Sequence, residues 1–153
     1  MKIRIEVEDG RQESEVVIKC ARVDDSIQKI HQYILDQAAG VVAIAFFKQD
    51  REYYFPVSEI LFFETEGDLV YAHTAQDSYR IKHRLYELED LLPGQFMRAA
   101  KSLILNTDKI HSITRNMASA SLVEFSGTHK KVYVSRRYFT QVKERLEERR
   151  NVR

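Results

Sequence analysis

One cysteine, two prolines, five glycines and no tryptophan in 153 residues exclude several protein classes at once. A lone Cys20 can form no intramolecular disulfide and supply no thiolate zinc cluster, so neither a disulfide scaffold nor a zinc-built fold is available. Five dispersed glycines are too few for a phosphate-cradling loop, and scarce Pro and Gly argue against a low-complexity chain. The longest apolar run, Val41 to Phe47, falls far short of the roughly 20 residues that cross a bilayer. The opening Met-Lys-Ile-Arg-Ile-Glu places acid before any long apolar block, so no secretory signal is expected and the protein reads as cytoplasmic. The five histidines (His31, His73, His83, His111, His129) show no metal-ligand pairing with an acid on one helix. No Ser or Thr has a nucleophile-elbow context, and Cys20, inside an apolar pattern, reads as a buried small hydrophobe. Neither catalysis nor a cofactor is expected.

What is present is a soluble-type composition, 44% hydrophobic and 31% charged, at a length that favours one domain with a small appendage. The net charge of +1 conceals a segregation. Residues 1–79 hold 8 Lys/Arg against 15 Asp/Glu, a balance of −7, and residues 80–153 hold 16 against 8, a balance of +8. Either the second half faces a polyanion, or basic and acidic faces pair within the fold or across a dimer.

Lys2 to Glu8 alternates Ile3, Ile5 and Val7 with charged residues, the period of a half-buried strand. Glu15 to Val23 is expected to pair with it across the Asp9-Gly10 turn. Asp24, Asp25 and Ser26 offer N-cap groups to a helix carrying Ile27, Ile30, Ile34 and Ala38 on one face, with Gly40 as C-cap. A strand from Val41 to Phe47 would close a β-β-α-β unit. Residues 1–50 are thus read as a small α+β unit with a dimerisation or regulatory role. Its isoleucine stripe packs either on its own sheet or on a second copy.

Residues 51–153 read as mainly β. Short strands are expected at Ile60–Phe63, Leu69–Thr74, Ser78–Lys82, Leu103–Leu105, Ile110–Thr114, Leu122–Phe125 and Val132–Val134. A short helix carrying Leu85, Leu88, Leu91 and Leu92 stops at Pro93-Gly94, and Tyr138, Val142 and Leu146 mark a last one. Basic residues gather beside the turns: Arg98 and Lys101 before Leu103, Lys130 and Lys131 before Val132, and Ser135-Arg136-Arg137 after it. Hydroxyls beside guanidinium groups suit phosphate, and a longer reach lets Arg grip guanine O6 and N7; a plainly solvated surface is the alternative for each taken singly.

Three runs carry a specific resemblance. PVSEILFFETEGDLVYAHT (Pro56 to Thr74), YRIKHRLYELEDLLPGQFMRAAKSLILN (Tyr79 to Asn106) and KVYVSRRYFTQVKERL (Lys131 to Leu146) resemble, in order and spacing, the opening, centre and end of a LytTR-type DNA-binding domain. The resemblance covers about residues 53–147. It implies a mainly β fold with short flanking helices, whose loops enter successive major grooves of direct-repeat sites on double-stranded DNA. It also implies a bacterial, non-enzymatic transcription regulator that binds its sites as pairs, and the isoleucine stripe predicts a homodimer.

Residue by residue, the resemblance implies contacts from Gly67, Asp68 and Leu69, from Arg98, Lys101 and Ser102, and from Ser135, Arg136 and Arg137. Asp68 stands where Asn or His is usual, Ala100 where His is frequent, and Tyr133 where Pro is common. Asn106 matches as well, as a residue that satisfies a turn. About 50 residues precede the match, too few for a receiver domain, and ILFFETEGDLVYAHT and SLVEFSGTHKKVYVSRRY resemble the stand-alone branch. That branch implies a small membrane-protein inhibitor as partner, with no direct membrane insertion. A protein-interaction module that has lost DNA binding is the alternative, supported by Asp68 and Ala100.

Overall fold

A computed structural model describes residues 1–38 and 44–151, and the chain divides into two units, Met1–Leu35 and Asp36–Arg153. In the first, Gly10 takes φ +83 and the Arg11 N–H donates to the Glu8 carbonyl, so the anticipated turn forms. The Arg11 side chain secures it, donating to Glu8 at 2.7 Å, to the Glu13 carbonyl at 3.0 Å and to Glu15. The two strands expected on either side of this turn do not form: residues 2–8 and 15–23 make no ladder. The physical reason is missing cover, since Ile3, Ile5 and Val7 are each close to 90% exposed and gain nothing from alternation. Cys20, expected to be buried, is exposed for the same reason. Helix α1 (Asp25–Ala38) forms as expected, its start capped by the Asp24 carboxylate accepting from the Ile27 N–H at 2.9 Å. Gly40 and the first residues of the Val41–Phe47 strand lie outside the described residues.

The second unit takes in a strand that the sequence places in the first. β1 (Phe46–Lys48) pairs with β2 (Arg51–Tyr53) and, on its other side, with a strand of the large sheet. Phe46 is buried and stacks on Phe55 at 4.2 Å between ring centroids, beside Tyr79. Aromatic burial therefore draws this strand into the sheet. After a 3-10 turn at Val57–Glu59 come β3 (Phe62–Glu66), β4 (Leu69–His73) and β5 (Ser78–Ile81), then α2 (Leu85–Leu91), β6 (Phe96–Ala100) and β7 (Leu103–Asn106). The strands form a seven-stranded antiparallel sheet in the order β2-β1-β5-β4-β3-β7-β6. A second sheet of β8 (Ile110–Thr114), β9 (Ser121–Phe125) and β10 (Lys131–Val134) follows, and α3 (Arg136–Asn151) ends the chain.

Both faces of the large sheet's centre are covered, which explains why β3 and β7 read as continuous apolar runs. Leu61, Phe62, Leu103 and Leu105 meet Val123, Phe125, Val132 and Val134 of the small sheet and Phe139 and Val142 of α3. Phe63 and Ile104, on the opposite face, pack with Leu85 and Leu88 of α2 and with Val57, Ile60 and Phe96. Asn106 is 1% exposed; its amide donates to the Ile60 carbonyl at 3.0 Å and accepts from the Asp108 N–H at 3.1 Å. Its role is to close the turn, as read from the sequence.

Candidate nucleic-acid interface

β3 and β4 are joined by Gly67 and Asp68 alone, with Glu66 opposite Leu69. Gly67 sits at φ +61, as the first central position of a tight hairpin turn requires. Glu66, Gly67, Asp68 and Leu69 are all exposed. One strand over, Lys101 and Ser102 make the equally short exposed turn between β6 and β7. The two turns are adjacent: the Ser102 carbonyl accepts from the Thr65 N–H at 3.0 Å, one residue short of Glu66.

A bulge ties in the third place. The β6–β7 register shifts between Arg98 and Ala100, and the Ala99 carbonyl accepts from the Ser135 N–H at 2.9 Å. Ser135 thereby holds the start of α3 beside the Lys101 turn, with Arg136 and Arg137 exposed in its first turn. The unpaired N–H groups of a helix start favour anions, and two guanidinium groups add to that field. Arg137 lies over the Tyr138 ring, 5.6 Å from its centroid.

Eight of the nine residues expected to contact DNA, spread over 70 positions of sequence, therefore converge on one edge. Arg98 is the exception. It alternates with Met97 and Ala99, and its Nε lies 3.4 Å from Glu89 of α2. Its Nε and Nη1 are buried without a hydrogen-bond partner. Ala100, at the usual His position, packs against the core between the sheets, whereas Tyr133 is 55% exposed.

Sequence reasoning missed Arg115, which stacks on Phe139 of α3 at 4.8 Å, two residues beyond Arg137 along the helix. Its only signal is a lone Arg in the β8–β9 loop. Other basic residues are spent inside the fold. Lys130 donates to the Asp77 carbonyl at 2.6 Å and reaches His73 Nδ1 at 3.3 Å. Arg145 donates to the Gly94 carbonyl, and Arg149 to those of Thr107 and Ile110. The basic residues of the second half are thus divided between ties to backbone carbonyls and an exposed set that includes Lys101, Arg115, Arg136 and Arg137.

The hairpin side of the edge is acidic. Burial, with the Glu66 charge in second place, pushes the Glu64 carboxyl above its usual range. Burial and the nearby Lys130 ammonium lower His73 to about 4, so its imidazole is neutral at pH 7. Because Lys130 can only donate, the ring proton sits on Nε2, 3.7 Å from Glu66. Among the described residues no cluster of His, Cys, Asp and Glu could hold a metal ion, and no helix is long and apolar enough to cross a membrane.

Comparison with known families decides what this edge belongs to. The family model described as LytTr DNA-binding domain matches residues 50–147. The chain belongs to the LytTr DNA-binding domain family. A solved LytTr DNA-binding domain from Bacillus cereus superimposes with a TM-score of 0.62 at 24% identity, covering 67% of this chain and 94% of that one, which shows the shared fold. Relatives in Staphylococcus aureus strains NCTC 8325 / PS 47 and COL, each named an uncharacterized HTH-type transcriptional regulator, are 29% identical over 147 residues. The match takes in 95% of this chain and 98% of theirs. The LytTr unit is not a helix-turn-helix: in the described residues strands separate each α-helix from the next.

Proposed function

We propose that the protein is a sequence-specific, double-stranded-DNA-binding transcription regulator that acts in the cytoplasm without a catalytic step. It sets the loops of its LytTr edge into successive major grooves of direct-repeat sites. The carrying observation is the juxtaposition of the Gly67-Asp68 turn, the Lys101-Ser102 turn and the Ser135–Arg137 helix start, linked by the Thr65–Ser102 and Ser135–Ala99 backbone bonds. Ser135, Arg136 and the α3 N-terminus suit phosphate, which fixes register on the duplex. Arg137, the next residue of α3, suits a guanine edge, and Lys101 suits either a guanine or a phosphate. Asp68 repels phosphate and can accept from cytosine N4. Arg98 can join the phosphate contacts only by leaving Glu89.

The regulator works as a homodimer through residues 1–50, with one LytTr unit for each repeat of the site. Its resemblance to the stand-alone branch supports a small membrane protein as its restraining partner. The acidic hairpin of Glu64, Glu66 and Asp68 favours the second reading, an assembly module without DNA binding. A titration against upstream DNA fragments at several salt concentrations separates the two. Each phosphate contact should contribute about −0.9 to the slope of log K against log salt, and a total of several contacts is expected. Absence of binding at low salt to every fragment would leave the assembly module.

A further inference from the structure

The first unit holds a surface that a single copy leaves uncovered. Met1, Ile3, Ile5, Val7, Val16, Val17 and Val23 are 61–90% exposed. Side chains of this size remove about 60–120 Å² each when buried, so they offer roughly 400–800 Å² per chain, against about 800 Å² per partner in a standard interface.

The charges between them identify the occupant. Lys2-Ile3-Arg4-Ile5-Glu6-Val7-Glu8 is basic in its first half and acidic in its second. An antiparallel pairing of two copies about a two-fold at Ile5 sets Ile5 on Ile5, Arg4 on Glu6, Ile3 on Val7 and Lys2 on Glu8. Every pair is then matched in charge or in apolar character. A parallel pairing would stack like on like. Arg4 and Glu6 already share one face of the extended segment, their side chains 2.9 Å apart and well exposed. The segment is thus complementary to itself under the symmetry that closed dimers use.

We infer that residues 2–8 form a strand by pairing antiparallel with the same residues of a second copy. The apolar face this makes is covered by Val16, Val17, Val23 and the Ile27-Ile30-Ile34 stripe. The missing ladder in the single chain is the unfilled half of an intermolecular sheet. This rests on the homodimer reading and gives it an address.

The test uses the full chain in three forms: unaltered, Arg4→Glu and Glu6→Arg. Both substitutions lie on exposed side chains, and circular dichroism should show the second unit's fold intact. Light scattering over a dilution series should show the unaltered protein at twice 18.0 kDa. Each variant alone sets like charges across the two-fold at two places, and its dimer should dissociate at least tenfold more readily. An equal mixture of the two should recover the unaltered mass, which repair within one chain cannot explain. Ile5→Cys in a Cys20→Ser background should also form a disulfide between copies on mild oxidation, since directly opposed Cα atoms about 4.5–5.5 Å apart suit that bond. An unaltered protein at 18.0 kDa would overturn the dimer reading and the strand together. Variants that dimerise like the unaltered protein, or a mixture that stays monomeric, would overturn the self-paired strand alone.

Discussion

Residues 2–8 and residues 60–73 carry comparable strand signals around a glycine turn, with opposite outcomes. Gly10 at φ +83 and Gly67 at φ +61 both turn the chain. After Gly67 a full ladder runs from Glu66–Leu69 to Phe62–His73; around Gly10 there is none. The difference is cover. Phe62 and Phe63 each find a packed layer, one toward the small sheet and one toward α2, while Ile3, Ile5 and Val7 stay exposed in the first unit. Period two says which residues share a face, and burial decides whether the face is worth forming.

The largest expected effect removes the cover where it exists. Phe63→Ala should cost about 3–5 kcal/mol in urea unfolding of the second unit, whereas Ile5→Ala should shift that same transition by less than about 0.5 kcal/mol. Equal effects would break the contrast. Asn106→Leu comes next. It leaves the Ile60 carbonyl and the Asp108 N–H without their side-chain partner, for an expected loss of about 2–4 kcal/mol.

Acid sharpens the comparison further, because the titrating histidine belongs to the covered hairpin. His73 is held at about 4 in the folded chain against 6.5 unfolded, so the fold favours its neutral form. The resulting stability is complete above pH 6.5 and is lost as pH falls toward 4, by about 2–3 kcal/mol. Urea midpoints at pH 7.5 and 4.5 should show this loss, and His73→Gln should reduce it.

Much of the second unit was legible because its strands are rich in β-branched and aromatic residues bounded by turns. β6 was not: after Phe96 its residues Met97, Arg98, Ala99 and Ala100 are neither β-branched nor aromatic, and the strand forms because β7 offers an edge. β2 escaped notice as a three-residue edge strand with two charges. At the candidate interface the loops could be named from the resemblance, but their convergence depends on strand order and on the Ala99 bulge. The capture of Arg98 by Glu89 and the stacking of Arg115 on Phe139 join residues from separate elements, which no local pattern encodes.

The central claim is that the edge built from two turns and the start of α3 reads base sequence, with Arg137 at its reading position. Binding curves for Arg137→Ala and Arg136→Ala on the specific site, on single-base variants of it and on random DNA test this most directly. Arg137→Ala should cost about 1–3 kcal/mol on the specific site only and flatten the preference at one base pair. Arg136→Ala should weaken all the DNAs alike and reduce the salt slope by about 1. Equal losses for Arg137→Ala on specific and random DNA would contradict base reading by this edge.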